Sequence, residues 1–261
     1  MALKDLSSYD AVDMHRGSER MEIALPSSPT LAGLAFACHI FTGLDSEEEA
    51  GRIEAPLDLT PDASRKGLLC WLNEWGCRQF KKEYHDKAAR QLDCWHKKEA
   101  GSRLFLPENK NLLSLTATDL DTAEKAYDAL WRKTASIREV KGKQQHVTFG
   151  PTGTAKILFR LRPQALMIWD GQIRDSFGLD GSAPSYRKYL EMGKIWLKEL
   201  DEECKRHGFG LESLPERMGR SKSSPAKLLD EYLWITVTLK HKPPGRDQLA
   251  QWVMWASAVL P

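Results

Sequence analysis

Two stretches of this sequence combine residue types and spacings that suit chemistry. The first is Gly150-Pro-Thr-Gly-Thr-Ala-Lys156, a glycine-containing turn followed by a helical pattern that runs to about Leu161 and stops before Pro163. The start of a helix leaves N–H donors unsatisfied and exposes the positive end of its dipole, so it favours an anion. Glycines there let the anion approach the backbone closely. The second is Asp170, which follows the apolar run 165–169 and sits where an N-cap belongs for a helix over 171–177. A glycine turn before a helix is common, and an Asp in such a place is most simply a cap.

Other groupings are weaker. Cys70, Cys77, Cys94, His85 and His96 invite a zinc reading, but their spacing matches no usual structural site. Cys70 and Cys77 stand two helical turns apart, which core packing explains, and no metal or other cofactor is expected. No cysteine has a recognisable activating context for a Cys–His nucleophile. Asp230 and Glu231 precede Trp234 on a helical pattern, and adjacent residues there point about 100° apart. A buried Asp230 would need a partner, for which Arg78 and Arg174 are candidates. The loop 217–222 is basic and suits either phosphate contact or plain solvent exposure.

The elements that must hold these residues read as helices. An apolar helix is expected over 31–43, followed by an acidic linker through Glu47, Glu48 and Glu49. Thr60, Pro61 and Asp62 mark a helix start, with Leu68, Leu69, Leu72 and Trp75 on one face and Gly76 at its end. Further helices are expected over 80–98, 118–136, 185–206, 224–240 and 246–259, with Ser224 capping the fourth of these five. The basic stretch 141–145 reads as a loop. Trp71, Trp75 and Trp131 read as core, and the β-like run 234–239 continues a helical pattern.

The order of glycine turn, helix, apolar stretch and Asp170 resembles the helix–hairpin–helix DNA glycosylase superfamily, over roughly residues 120–180. The resemblance implies an all-α, two-lobed helical domain over 61–261, with its hairpin near 138–162 and residues 1–60 as a lead-in packing on the domain. By the same resemblance, Gly150, Thr152, Gly153, Thr154 and Lys156 would hold a phosphate of double-stranded DNA. Asp170 would be the catalytic carboxylate for hydrolysis of an N-glycosidic bond, with Trp169, and after it Tyr232 and Trp234, stacking on a flipped base. The position of the nucleophilic Lys found in strand-cutting members is Gly153 here, which implies a monofunctional enzyme that uses water. The four-cysteine cluster of some members is absent. The segments 150–158, 162–174, 228–236 and 71–78 also look like a group of bacterial proteins. Bacterial glycosylase-like proteins include some that attack hypermodified phage cytosines, so the resemblance extends to a role in phage defence.

Composition bounds these readings. The 261 residues are 41% hydrophobic and 28% charged, as in an ordinary folded domain, and nine tryptophans demand a core, cleft or interface. Residues 1–140 carry 19 Lys+Arg against 23 Asp+Glu, and residues 141–261 carry 19 against 13. A basic C-terminal half suits a polyanion. An odd count of five cysteines and an acidic N-terminus without a leader-like segment point to a cytoplasmic protein, read here as a monomer that does not enter a membrane. The competing reading is a non-enzymatic helical protein that binds nucleic acid or a protein partner.

Overall fold

A computed structural model describes residues 28–44, 57–100, 106, 109–245, 247–248 and 250. The chain is mainly helical, with one two-stranded ribbon. In chain order the helices are α1 (Leu31–Leu44), α2 (Asp62–Glu74), α3 (His85–Trp95) and α4 (Ala117–Trp131). The ribbon strands β1 (Thr134–Val140) and β2 (Lys143–Thr148) follow. After them come α5 (Gly150–Leu161), α6 (Gly171–Ser176), α7 (Ala183–Arg206), α8 (Leu214–Arg217) and α9 (Pro225–Leu233). No described helix is long and apolar enough to cross a membrane. Most of the helix expected over 246–259 and most of the lead-in 1–60 lie outside the described residues.

Helix α5 is the hub. Seven consecutive residues, from Gly153 to Phe159, are buried, and Leu161 with them. A helix buried on every side over two turns belongs in the interior rather than on a surface. α4 and α7 pack against each other, and α4 also packs on α5. The buried residues of α7 (Tyr186, Tyr189, Leu190, Gly193, Trp196, Leu197, Leu200 and Cys204 among them) recur at the spacing of a single helical face. α1 packs along α9, and its Leu34 and Cys38 join the main core. α2 packs on α3.

Several boundaries differ from expectation; the helix expected over 80–98 is regular only from His85 to Trp95. The 118–136 helix starts earlier and ends earlier, because Thr116 rather than Thr118 is its cap: the Thr116 hydroxyl accepts from the Asp119 N–H at 3.3 Å, while Asp119 Oδ2 accepts from the Thr116 N–H at 2.7 Å. Pro61 stands at the N-cap of α2 instead of its first position, and no side chain caps that helix. The largest change lies between α4 and α5. The basic stretch 141–145 is no loop, and no helix–hairpin–helix turn stands near 138–162. An antiparallel ribbon pairs Val140 with Lys143 and Thr134 with Thr148, closed by Lys141 (φ 51°) and Gly142 (φ 73°). Two central residues with positive φ match the twist of a two-residue hairpin. The ribbon runs straight into α5, so Gly150, Pro151, Thr152 and Gly153 are the first turn of that helix.

The cap of α4 carries a pH signature. Burial acts to raise the Asp119 pKa, but the Lys110 ammonium at 2.5 Å and the Thr116 amide and hydroxyl outweigh it and hold the group down at about 2. A carboxylate depressed in the folded state stabilises fully above its unfolded value of about 3.9, and that stabilisation disappears as pH falls through the folded value. Asp119→Asn is therefore expected to lower stability by about 1 kcal/mol at neutral pH. The gap should close as pH approaches 2, read by urea unfolding at the two pH values. A gap independent of pH would remove the carboxylate as its source.

Candidate active site

Asp170 caps α6. Its Oδ1 accepts from the Ile173 N–H at 2.8 Å and its Oδ2 accepts from the Thr238 hydroxyl at 2.7 Å. The second bond exists because α9 does not continue as a regular helix. From Trp234 to Thr238 the chain widens into a π-turn, with the Leu239 N–H donating to the Trp234 carbonyl at 2.9 Å. That turn brings Thr238 onto the carboxylate and places Trp234 on the wall beside it. The expected single helix over 224–240 is thus two segments, and the irregular one serves the site, as π-turns often do.

The Asp170 carboxylate borders a cavity of about 370 Å³. α1 contributes Phe41, and the end of α2 contributes Glu74, Trp75 and Gly76, where the φ of +79° at Gly76 ends the helix. α5 contributes Lys156, and α9 contributes Lys227 and Asp230. Ile168, Ile173 and Trp234 complete the wall. Trp234 meets Phe41 edge to face at 5.8 Å.

Two ammonium groups converge on one indole. Lys156 Nζ lies 5.5 Å and Lys227 Nζ 5.2 Å from the Trp75 ring centroid. Lys156 also donates to the Trp75 carbonyl. Lys227, only 2% exposed, lies 4.8 Å from the Phe41 ring centroid and donates to Asp230 Oδ2 at 2.6 Å. Burial drives the Asp230 and Glu231 pKa values up, and Lys227 opposes it in both. Arg220 holds Glu231 Oε1 at 2.6 Å, while Glu231 Oε2 is buried without a partner.

The structure thus gathers Asp170, Lys156 and Trp234 of the expected site residues and separates the others from them. Trp169 is a correction. It is fully buried in an aromatic cluster with Tyr127, Tyr186 and Tyr189, and its indole N–H donates to the Pro151 carbonyl at 3.2 Å. With no exposed surface, its ring offers no face on which a base could stack. Tyr232 does not border the cavity; it packs over Gly33, where an added Cβ would meet its ring at 3.0 Å. Lys156 is 9% exposed and turned into the cavity, away from any phosphate outside. Thr154 is wholly buried, and Gly153 is close against Phe80. Of the first turn of α5, Gly150, Pro151 and Thr152 stay partly exposed, and Thr152 Oγ1 accepts from Arg174 at 3.0 Å.

Other expectations resolve similarly. The partner of Asp230 is Lys227, one turn back on the same helix, rather than Arg78 or Arg174. Within the basic loop 217–222, Arg220 is turned inward onto Glu231, and Arg217 lies 4.2 Å from the Phe209 ring centroid. Trp75, expected in the core, walls the cavity. Sequence reasoning missed Trp75, Phe41 and Lys227. The break at Gly76 hinted that Trp75 sits at a helix end, but nothing local marks Lys227. Among the described residues no group of three or more His, Cys, Asp or Glu is placed to hold a metal.

Compared with protein-family models, curated proteins and solved structures, the chain finds no match. Its function has to be argued from the cavity itself.

Two substitutions test this geometry. Gly153→Ala sets a Cβ 3.0 Å from the Phe80 ring and from the Gln79 amide, and is expected to cost about 1–3 kcal/mol in urea unfolding. A neutral result would return Gly153 to the role of ligand contact. Lys227→Ala is expected to cost about 3–5 kcal/mol by stranding Asp230 and Glu231, and a Lys227→Met, Asp230→Leu double variant to recover most of that loss. Equal stability of the two variants would mean that the buried pair is not what the Lys satisfies.

Proposed function

We propose that the protein is a monofunctional DNA glycosylase that hydrolyses the N-glycosidic bond of a modified or damaged base with Asp170. The observation that carries the reading is a carboxylate on the wall of an aromatic-lined cavity that also holds two ammonium groups. At about 370 Å³ the cavity falls within the roughly 300–1,000 Å³ typical of small-molecule sites. Trp75, Trp234 and Phe41 offer faces and edges for a flipped base, an interaction worth roughly 1–3 kcal/mol per base.

The chemistry follows from charge. As the bond from C1′ to the base nitrogen breaks, its electron pair leaves with the base and the sugar becomes cation-like. The Asp170 carboxylate stabilises that cation and accepts a proton from the water whose oxygen bonds to C1′. Lys156 and Lys227 stabilise the negative charge that grows on the departing base. Both work in a setting poor in water, where each charge interaction is stronger. The basic C-terminal half supports a polyanionic partner.

Asp170→Asn separates catalysis from capping, because an Asn side chain still accepts from the Ile173 N–H. Duplex DNAs carrying uracil, alkylated bases and hypermodified cytosines are incubated with the protein, and abasic sites are counted. The wild type is expected to release one class of base. Asp170→Asn should lose at least about 100-fold in rate while keeping its fold and its affinity for DNA. Unchanged release by Asp170→Asn would end the mechanism, and binding without release from any substrate would leave a non-enzymatic nucleic-acid-binding protein.

A further inference from the structure

A second cavity is also of about 370 Å³. Ser64, Gly67, Cys70, Trp71 and Arg160 lie on its wall, and Glu74 borders both cavities. The Trp71 and Trp75 rings, 4.9 Å apart, stand at the division between them. Nothing in the proposed reaction uses this second space.

Its wall carries a guanidinium, that of Arg160, which meets no acceptor among the described residues. Arg65 faces Asp62 and Asp93, Arg187 faces Asp121, Glu124 and Glu191, and Arg220 faces Glu231. Arg160, on the last turn of α5, makes no side-chain hydrogen bond and no ion pair with any described residue; one of its terminal nitrogens is fully buried without a partner. Its guanidinium carbon lies 5.6 Å from the Trp71 ring centroid. Trp71 is itself 7% exposed, and its indole N–H is a second buried donor without an acceptor. A guanidinium carries five donors, and leaving them unmet while shielding the charge is costly. Two residues that line one cavity thus each carry a buried donor with no acceptor, and one of the two is permanently charged. Planar, forked donors match the oxygens of an oxyanion, phosphate above all. There is room for one at Gly67, where an added Cβ would meet nothing within 4 Å.

We propose that this second cavity is a phosphate subsite, in which Arg160 and Trp71 hold a phosphate group beside the Ser64 hydroxyl. The group has two possible sources: a free phosphate, or a backbone phosphate of the strand whose base enters the first cavity. The second source rests on the glycosylase reading and the first does not.

Cys70 supplies the probe, because it is an exposed thiol on the cavity wall whereas Cys38, Cys77 and Cys204 are buried. Its alkylation by iodoacetamide, an uncharged reagent, is followed by peptide mass in the full-length chain. Inorganic phosphate is expected to slow alkylation several-fold, and acetate at matched ionic strength is not. Arg160→Gln should abolish the phosphate effect, and Arg160→Lys should retain part of it. Equal protection by acetate, no protection by phosphate, or undiminished protection in Arg160→Gln would each overturn the proposal. A single-stranded oligonucleotide that protects Cys70 in the wild type but not in Arg160→Gln assigns the group to a strand, and protection by inorganic phosphate alone assigns it to a free phosphate. Asp170→Asn should leave phosphate protection intact, so loss of the glycosylase reading and loss of this one are separable.

Discussion

A positive charge taken out of water has to be compensated where it lies, and two such charges meet at Trp75. Lys156 reaches the indole from α5 and Lys227 reaches it from α9. Each is satisfied only in part: one by the Trp75 carbonyl, the other by Asp230. Their positions tie the end of α2 to the two helices that carry the rest of the cavity. A buried ion pair of this sort is weak evidence for stability, since apolar residues of similar volume often do as well. The four charged groups Arg220, Lys227, Asp230 and Glu231 are therefore better understood through what they hold in place. They fix an ammonium group on the wall of a cavity whose other polar wall is the Asp170 carboxylate.

The same constraint accounts for the course of α5. A helix buried from Gly153 to Phe159 has little room for a side chain as long as Lys156 unless its ammonium finds an opening. That opening is the cavity. Arg160, one turn later, leaves the core at the other opening. The two cations on this helix thus mark the two cavities, and the Trp71 and Trp75 rings, tilted 33° to one another, divide them.

How much of this could be read from the sequence depended on whether the signal was local. Asp170 as a cap and Ser224 followed by Pro225 are set by neighbours within one or two turns, and each appears where expected. The ribbon 134–148 was not legible, because β2 is solvated on nearly all its length and its polar residues show no alternation. Its turn did carry a signal: Lys141-Gly142 directly after Val140 suits a two-residue hairpin, yet the basic run masked it. Trp169 and Trp75 were exchanged for a different reason. Both are aromatic residues beside a helix end, and which one faces a cleft depends on the direction of the chain there, a tertiary fact with no local mark. Lys227 and Arg160 were invisible in the same sense, since a lysine or arginine on an amphipathic helix is ordinarily on its wet face.

The remaining tension concerns Asp170, whose two oxygens already accept hydrogen bonds from Ile173 and Thr238. A capping role alone needs only the first. Caps are common on surface helices, and they need neither a π-turn to deliver a hydroxyl nor a cavity walled by three aromatic rings. The second bond fixes the plane of the carboxylate. A carboxylate has room for about four acceptor contacts, so two fixed bonds still leave lone pairs for a ligand. A carboxylate held rigidly in this way needs little reorganisation when charge appears opposite it, which is the condition for strong electrostatic stabilisation of a transition state. The bond to Thr238 comes at the cost of regular helix geometry in α9, and capping gives no return for that cost. It is intelligible if the orientation of the Asp170 carboxylate toward the cavity is what the irregular turn maintains.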